Sequence, residues 1–508
     1  MNTLSRRGFL AASAAAIGMA QMPRIAFAQG GAPISLAAAT RTLDIDGRAA
    51  TVFGLAGPGG QGLILNPGQR FRIDLTNDLD VGTIIHWHGQ IPPNAQDGVP
   101  DMPMPLLAPG ETRSYDFEAR PGTHWMHSHV PTQEMQLLAA PLIVRSQEDL
   151  TADRQEVVMF LHDFSFKTPE EVLAEIGAGH GGGHGAGHGG GAVPDQGAPM
   201  GSIGAMQGMD HGAMGHGAMG GMPMGNMPGM GGMMGMDLND YDWDAYLAND
   251  RTLSDPEVVQ VERGGRIRLR VINAAAATVF WIDTGGAPGR LVAVDGHAVQ
   301  PLPGNRFGLA MGQRLDIEID LPNEGGVWPI LALREGARER TGLILATQGA
   351  EVRRLDPMAE TEASAFDTDL AQEARLIALH ALPDRPVDRS HMLMLGGSMQ
   401  PYVWTINGAV WGQHQPVAAR SGERVVLSFH NMSMMAHPMH LHGHVFQVVG
   451  LNGRRVVGAL RDTVHVPPMS MVDVALDAGE AASWMLHCHH MPHLATGMMT
   501  EFAVTASV

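Results

Sequence analysis

Alternating hydrophobic and polar positions run through much of the chain and predict β-strands. The clearest examples are residues 266–272 and 314–321, where successive side chains would point to opposite faces of a sheet. A continuous apolar run over 157–161 predicts a fully buried strand. No long helical periodicity stands out, and residues 170–176 form at best a short helix. The pattern therefore predicts an all-β protein with many turns.

The 508 residues are enough for two to four domains. We predict a first β domain over residues 31–148, a second over 149–350 and a third over 351–508. The second domain contains a low-complexity insertion over 177–236, in which glycine, methionine and histidine replace the strand pattern. This composition cannot bury a core, so we expect the insertion to be disordered without a ligand.

The first 28 residues predict a signal peptide. Arg6 and Arg7 form a twin-arginine pair, an apolar run follows from Gly8 to Ala20, and residues 26–28 fit a small-x-small cleavage site. The apolar run is too short to span a bilayer. These features predict export of a folded protein to the periplasm by the twin-arginine route, with no membrane span elsewhere.

Net charge and cysteine content exclude several kinds of partner and an internal disulfide. The formal net charge of -19 argues against nucleic acid and anionic membranes as partners. The chain has a single cysteine, Cys488, which excludes an internal disulfide. A lone cysteine is often a small buried apolar residue, but this one lies between His487 and His489, where a thiolate is a soft metal ligand.

Four pairs of histidines have one residue between their members. Side chains at i and i+2 share a face of a strand, so each pair can present two imidazoles to one place. Two pairs lie in the first predicted domain and two in the last: His86/His88, His127/His129, His440/His442 and His487/His489. Eight imidazoles are too many for one or two ordinary sites. They suit three copper ions at the seam between those two domains.

Cys488 needs further ligands to form a separate centre. His437, His493 and Met498 are the natural donors, because one thiolate, two imidazoles and a weak axial thioether make the trigonal site of electron-transfer copper. Cys488 is bonded to both His487 and His489, so an electron can pass from this centre to the cluster over about 10 Å. Reduction of dioxygen to water needs such an entry site for single electrons, connected to a cluster that delivers them together.

These segments resemble the four copper signatures of the multicopper oxidases, most closely the bacterial laccase-like and copper-resistance members. The resemblance rests on residues 86–89, 127–129, 437–443 and 487–498. It implies three cupredoxin-like Greek-key β-sandwich domains and four copper ions, one of type 1, one of type 2 and two of type 3. The implied ligands are His437, Cys488, His493 and Met498 for type 1, His86 and His440 for type 2, and His88, His127, His129, His442, His487 and His489 for the type 3 pair.

Asp97 lies in a turn between the first two histidine pairs. By the same resemblance it matches the family acid that helps to supply protons at the cluster. Making water consumes protons, and a carboxylate near buried copper can relay them. From the residues alone, a turn residue that caps its own loop is an equal interpretation.

Other histidines and methionines lie near the motifs at spacings that do not continue them. His124, His444 and His490 are of this kind, and we expect them to support the site or to be satisfied in the core. The same interpretation applies to six histidines that have no partner in the sequence, His162, His380, His391, His414, His430 and His465. Met499 is one residue from the axial position and is expected to belong to the core.

The insertion predicts copper capture in preference to an inert linker. It holds five histidines and, between Met200 and Met236, twelve methionines. Thioethers are soft ligands for Cu(I), and imidazoles bind Cu(II) as well. Copper-efflux relatives carry their Met-rich insert in the third domain, and an acid and a methionine precede their first type 1 histidine. Here the insert is in the second domain, Met435 keeps the methionine position, and Ser433 replaces the acid.

The sequence therefore predicts a periplasmic, monomeric oxidase with a role in copper homeostasis. It would couple the one-electron oxidation of a donor to the four-electron reduction of dioxygen to water. Cu(I) is the expected donor, phenols or aromatic amines are further donors, and the insertion would bind extra copper. A copper-binding or storage protein with an oxidase-like fold is the alternative, and a copper nitrite reductase is another. The complete ligand set argues against both.

Overall fold

Strands that alternate buried and exposed side chains form the body of the protein. The computed structural model describes residues 32–178 and 238–507. In the strand Phe71–Asn77, for example, every second residue from Phe71 onward is buried, as the sequence pattern predicts. The predicted signal peptide and all but the first two residues of the predicted insertion lie outside the described residues.

The first β-sandwich is built from nine strands, β1 (Ile34–Ile45), β2 (Arg48–Gly57), β3 (Gly60–Gln61), β4 (Leu63–Leu65), β5 (Phe71–Asn77), β6 (Ile85–His86), β7 (Thr112–Phe117), β8 (Gly122–Ser128) and β9 (Ala139–Val144). One sheet has the order β3-β2-β1-β5-β7, and the other has the order β4-β9-β8-β6. Aromatic rings fill the space between them, with Phe71 stacked on Phe117 and tilted against Trp87. The short sheet ends in β6 and β8, which carry the first two histidine pairs.

The second sandwich is built from β10 (Gln155–Phe164), β11 (Ala245–Ala248), β12 (Val258–Val261), β13 (Arg266–Asn273), β14 (Phe280–Asp283), β15 (Gly289–Val294), β16 (His297–Gly304), β17 (Arg306–Leu309), β18 (Arg314–Asp320), β19 (Val327–Arg334) and β20 (Arg340–Thr347). Its sheets have the orders β11-β10-β13-β18-β15-β16 and β12-β20-β19-β14-β17. The core between them is packed with buried side chains from both sheets, among them Leu269 and Ile317 from one sheet and Ile330 and Leu343 from the other. This sandwich supplies buried charges that reach the interface of the other two, as described below.

The third sandwich is built from β21 (Arg389–Met399), β22 (Tyr402–Ile406), β23 (Val417–Arg420), β24 (Arg424–Asn431), β25 (His437–Leu441), β26 (Phe446–Leu451), β27 (Arg454–Arg455), β28 (Leu460–Arg461), β29 (Thr463–Val466), β30 (Met471–Asp477), β31 (Ser483–Cys488) and β32 (Met499–Thr505). One sheet has the order β22-β21-β24-β30-β26-β27, with β28 also on β26, and the other has the order β23-β32-β31-β25-β29. The second of these sheets carries the last two histidine pairs.

Helices are few and short in the described part of the chain. They are α1 (Pro131–Glu134), α2 (Gln147–Thr151), α3 (Pro169–Ala178) and α4 (Met491–Ala495), with 3-10 turns at Asn94–Gln96 and Glu373–Arg375. α3 continues two residues into the predicted insertion, which is a small difference from the sequence expectation. α1 and α4 pack against each other and join the first sandwich to the third beside the histidine pairs.

The chain passes from one sandwich to the next between Val144 and Gln155, and again between Thr347 and Arg389. The predicted domain boundaries fall within these two connections and stay predictions at the level of single residues. Among the described residues, no helix combines the length and the apolar character needed to cross a membrane.

Candidate metal centre

The four histidine pairs occupy equivalent places in the first and third sandwiches. The first histidine of each pair lies in β6, β8, β25 or β31, and the second lies just past the end of the same strand. His86 is directly opposite His127 in its ladder, and His440 is directly opposite His487 in the other. The two sandwiches therefore present matching sets of four imidazoles to their shared interface.

At that interface the imidazoles form groups that each mix both sandwiches. Ring nitrogens lie within 4.8 Å of one another in three groups of three histidines, His88/His127/His489, His129/His442/His487 and His86/His88/His440, and the first and last of these share His88. In the last group Nε2 of His86 lies 3.4 Å from Nε2 of His440. All eight side chains are buried. The structure thus brings together every member of the four predicted pairs.

The hydrogen bonds of these rings test whether the groups fit metal ions. Nδ1 of His442 donates to Asp97 Oδ2 at 2.8 Å, and Nδ1 of His487 donates to the carbonyl of Cys488 at 3.0 Å. A neutral imidazole has one N–H, so Nε2 of each ring keeps a lone pair. These two Nε2 atoms are nevertheless only 3.1 Å apart. Two lone pairs at that distance fit a shared cation.

Burial keeps the same rings in the form that binds metal. It lowers the pKa of His442 well below the usual range and lowers that of His487 to about 3, with neighbouring histidines acting in the same direction. Both imidazoles are therefore neutral at ordinary pH, and neutral imidazole is the metal-binding form. The donor set of nitrogen ligands at close range fits copper.

A second centre forms around Cys488. Its Sγ lies 3.7 Å from Nδ1 of His437 and 3.6 Å from Nδ1 of His493, and the two nitrogens are 3.2 Å apart. Met498 is fully buried in the same apolar cluster as Cys488, and its carbonyl accepts the Cys488 N–H at 3.0 Å. Burial raises the pKa of the thiol, so the thiolate form requires a cation beside it.

Ser433 and two further histidines hold the rings of these centres in place. The Ser433 hydroxyl is 2.8 Å from Nε2 of His437, so this ring turns Nδ1 toward Cys488. His490 stacks on His493 with ring centroids 3.8 Å apart, and Nδ1 of His444 donates to the carbonyl of His442. His444 and His490 therefore contact the predicted ligands.

Asp97 uses its side chain on the histidine cluster. The Asp97 carboxylate accepts a hydrogen bond from His442 and lies 3.4 Å from Nδ1 of His86. The backbone carbonyl of Asp97 accepts a hydrogen bond from Nδ1 of His86 at 2.8 Å. The turn at Asp97 is closed by its backbone N–H, which bonds to Asn94. The side chain is thus directed into the cluster and not into its own loop.

Asp462 is a functional residue that sequence reasoning missed. Its Oδ1 accepts from Nε2 of His88 at 3.0 Å, and its carbonyl accepts from Nδ1 of His440 at 2.8 Å. Arg314, from the second sandwich, donates hydrogen bonds to this carboxylate from both of its terminal nitrogens. Its Nε–H donates to the carbonyl of Thr123. One buried ion pair therefore fixes ligands from the first and third sandwiches and ties both to the second.

Glu134 was missed as well. It lies at the end of α1, where its Oε2 is 2.7 Å from Nδ1 of His127 and its Oε1 is 3.8 Å from Nδ1 of His489. Burial raises its pKa well above the usual range. The sequence signal that could have found it is a carboxylate five residues after the predicted ligand His129.

Comparison with known families follows the same three-part division. Family models described as multicopper oxidase match residues 41–149, 218–350 and 384–508. Together these ranges cover well over half of the chain. The chain belongs to the multicopper oxidase family. Its fold of three cupredoxin-like β-sandwiches and its cofactor of four copper ions, one of type 1, one of type 2 and two of type 3, are those predicted from the sequence and are confirmed.

Several relatives align with this multicopper oxidase over most of its length. It is 29% identical over 442 residues to multicopper oxidase MmcO of Mycobacterium tuberculosis, with 85% of this chain and 79% of that one covered. It is 24% identical to copper resistance protein A of Escherichia coli, with 86% of each chain covered. The enzyme is thus an oxidoreductase with both copper-resistance proteins and laccases among its relatives.

Solved structures share its fold at low sequence identity. The multicopper oxidase Fet3p superposes with a TM-score of 0.70 at 15% identity, covering 92% of this chain and 90% of that one. The laccase of Botrytis aclada superposes with a TM-score of 0.69 at 21% identity, covering 92% and 87%. These likenesses establish the three-sandwich architecture.

Proposed function

We propose that this multicopper oxidase is a periplasmic cuprous oxidase. It would take single electrons from Cu(I), or from small phenols and aromatic amines, and reduce dioxygen to two waters. The complete set of ligands at one interface supports an oxidase and argues against a storage protein, which has no need of a sulfur centre joined to a histidine cluster. The Met/His composition of the insertion supports Cu(I) as the donor.

The proposed ligand assignment follows the groups seen at the interface. His437, Cys488, His493 and Met498 would hold the type 1 copper. His86 and His440 would hold the type 2 copper, and the groups His88/His127/His489 and His129/His442/His487 would hold the type 3 pair. When bound, the coppers supply one-electron transfer and the reduction of dioxygen.

The chain itself supplies the connection between the centres and the exclusion of water. Cys488 ends β31, and its two neighbours in sequence, His487 and His489, belong to the two different groups of three histidines. Every side chain in these groups is buried, so bulk water is kept from the reacting centre. Three carboxyl groups contact the cluster, those of Asp97, Glu134 and Asp462. Asp462 is held in an ion pair by Arg314, so Asp97 and Glu134 are the proposed proton holders.

Oxygen uptake and copper content test the oxidase assignment together. We expect at least four coppers per chain, with any excess held by the insertion, and the consumption of one dioxygen for every four Cu(I) ions, without release of peroxide. A copper-loaded protein that consumes no oxygen with Cu(I) or with a phenol would support the storage alternative. Reduction of nitrite would support the nitrite reductase alternative.

Replacing Asp97 by asparagine should slow dioxygen reduction by at least about 100-fold. The amide oxygen can still accept from His442, but the amide cannot hold a proton for the cluster. The rate at which a donor reduces the type 1 centre should stay normal. This rate is measured as the loss of the blue colour under anaerobic conditions. The matched control is Asp101→Asn in the same loop, where the carboxylate is exposed. Normal turnover of the Asp97 variant would rule out its role as a proton holder.

Deleting residues 179–236 should weaken the oxidation of Cu(I) more than that of a phenol. The thioethers and imidazoles of this segment concentrate copper near the enzyme, whereas a phenol gains nothing from them. We expect a rise of about tenfold in KM for Cu(I) and little change for the phenol. The control is a Gly/Ser segment of equal length in the same place. An equal loss of both activities would count against copper capture.

Location and assembly are part of the same proposal. The twin-arginine pattern and cleavage site within residues 1–28 support export to the periplasm. All the proposed copper ligands come from one chain, which supports a monomer as the working unit. We propose the domain boundaries at 148/149 and 350/351, within the two connections between sandwiches.

A further inference from the structure

The outer face of one sheet in the third sandwich carries two methionines and a histidine in a single row. Met394 of β21 is directly opposite His430 of β24, and His430 is directly opposite Met471 of β30. Neighbouring residues along these strands, such as Phe429 and Val472, belong to the core. Because side chains alternate between the two faces of a strand, the three side chains of the row stand side by side and face away from the core.

More exposed methionines lie on both sides of this row. Met392 stands on the same face of β21 and is 60% exposed. On the other side of the row, the Asn431 N–H donates to the carbonyl of Ser470 at 2.9 Å, and Met432 and Met469 follow this bond at 57% and 63% exposure. Methionines account for four of the five large apolar side chains that are exposed in the third sandwich. Thioethers are therefore the main apolar groups on this surface.

Strand formation and packing do not explain these methionines. Strands favour β-branched and aromatic side chains, and an apolar side chain that stays in water contributes nothing by burial. A thioether is also a neutral soft ligand that selects Cu(I), and imidazole binds copper as well. Two thioethers and one imidazole in a row therefore form a ligand set for Cu(I).

The ring of His430 is available to hold such an ion. Within the part of the chain that the structure describes, this ring makes no hydrogen bond, ion pair or ring contact with another residue, which differs from the sequence expectation that it is satisfied or supports the copper site. Directly opposite residues on adjacent strands have Cβ atoms about 5 Å apart. A methionine side chain has three rotatable bonds, so Met394 and Met471 can both reach an ion on this imidazole.

The row is separate from the proposed copper centres. The proposed copper ligands of the third sandwich come from β25 and β31 of the other sheet and from the segments that follow these strands. Cys488 and Met498 are fully buried in the core, whereas the three side chains of the row are partly exposed on the outer face. An ion held in the row can exchange with the surroundings, which the buried centres do not permit.

We propose that Met394, His430 and Met471 bind one Cu(I) ion at the surface of the enzyme, in addition to the four resident coppers. The ion is bound and released as Cu(I), and no electron transfer takes place at this site. The site goes beyond the proposed oxidase function and does not depend on it. It holds copper outside the reacting centres, in exchange with the solvent.

Silver locates the site directly, because Ag(I) has the ligand preferences of Cu(I) and is not oxidised. Copper-loaded enzyme would be incubated with Ag(I) and crystallised, and the silver located by anomalous scattering. We expect one silver bonded to a ring nitrogen of His430 and to Sδ of Met394 and Met471, and none there in the Met394→Leu/Met471→Leu variant. Silver bound only at Met392 or Met432, or no silver on this face, would overturn the proposal.

Competition with a chromophoric Cu(I) chelator tests the same site in solution. The copper-loaded enzyme is first reduced without oxygen, so that added Cu(I) is not consumed as a reductant. In the Met394→Leu/His430→Gln variant, we expect one Cu(I) per chain to bind at least about tenfold more weakly than in the wild type. The blue absorption of the reoxidised variant should match the wild type, which shows that the fold is intact.

The matched control is Met358→Leu/His380→Gln, which removes one exposed methionine and one exposed histidine that lie outside this sheet. We expect this variant to bind Cu(I) as the wild type does. Equal weakening in both variants, or none in either, would refute the surface site. A wild-type enzyme that binds Cu(I) in this row but oxidises neither Cu(I) nor a phenol would refute the proposed function alone.

Discussion

Replacing Cys488 by serine is expected to abolish the intense blue thiolate-to-copper absorption and to lower turnover with every donor by more than about 100-fold. Loss of a residue that merely supports a metal ligand already costs about 10–100-fold, and Cys488 is itself the sulfur ligand of the proposed type 1 site. A serine hydroxyl is a hard, neutral group that does not replace a thiolate on copper. The absorption spectrum and the oxygen-uptake rate of the copper-loaded variant measure the two effects.

The control for this variant changes the axial ligand and keeps the sulfur. Met498→Leu removes a weak thioether from the same buried cluster, so the blue colour should remain while the reduction potential changes. Neither variant changes a proposed ligand of the other three coppers. A Cys488→Ser protein that stays blue would refute the assignment of the type 1 site.

Replacing Asp462 by asparagine is expected to destabilise the fold by about 3–5 kcal/mol. The change removes the carboxylate that both terminal nitrogens of Arg314 bind, in a place where that side chain is 0% exposed, and leaves only the more distant Asp295, at 3.8 Å, as a counterion. It also weakens the acceptor that orients His88. Urea unfolding of the metal-free protein measures the first effect, and copper content after dialysis measures the second.

A surface ion pair gives the matching control. Arg70 and Asp116 are 2.7 Å apart and both about half exposed, so Asp116→Asn should cost less than about 1 kcal/mol. Equal unfolding free energies for the Asp462 and Asp116 variants would show that the buried pair does not hold the three sandwiches together. Full copper content in the Asp462 variant would show that His88 does not depend on it.

Local sequence pattern was sufficient to predict the strands and the four histidine pairs. An i, i+2 spacing is a property of a single strand, and the pairs at His440 and His487 are recognisable without knowing what lies opposite them. The grouping of the eight rings depends on how two sandwiches meet, and the resemblance to a family supplied the division into type 2 and type 3 ligands. The same resemblance pointed to Asp97.

Residues that act across the interfaces could not be found in this way. Asp462 and Arg314 are 148 positions apart, and neither belongs to a motif. Glu134 and His489 meet only because α1 packs on α4. Each of these relations is set by tertiary packing, which leaves no periodic trace in the sequence.

The histidine pairs are divided equally between the first and third sandwiches, and this division determines when copper can bind during biosynthesis. Groups of imidazoles that join residue 129 to residue 442, or residue 88 to residue 489, do not exist on a nascent chain that lacks its last strands. Copper can occupy the complete cluster only after the segment through residue 489 has been made and the third sandwich has packed on the first. Once bound, the ions act as cross-links between segments more than 300 positions apart, which ties metal acquisition to the completion of folding.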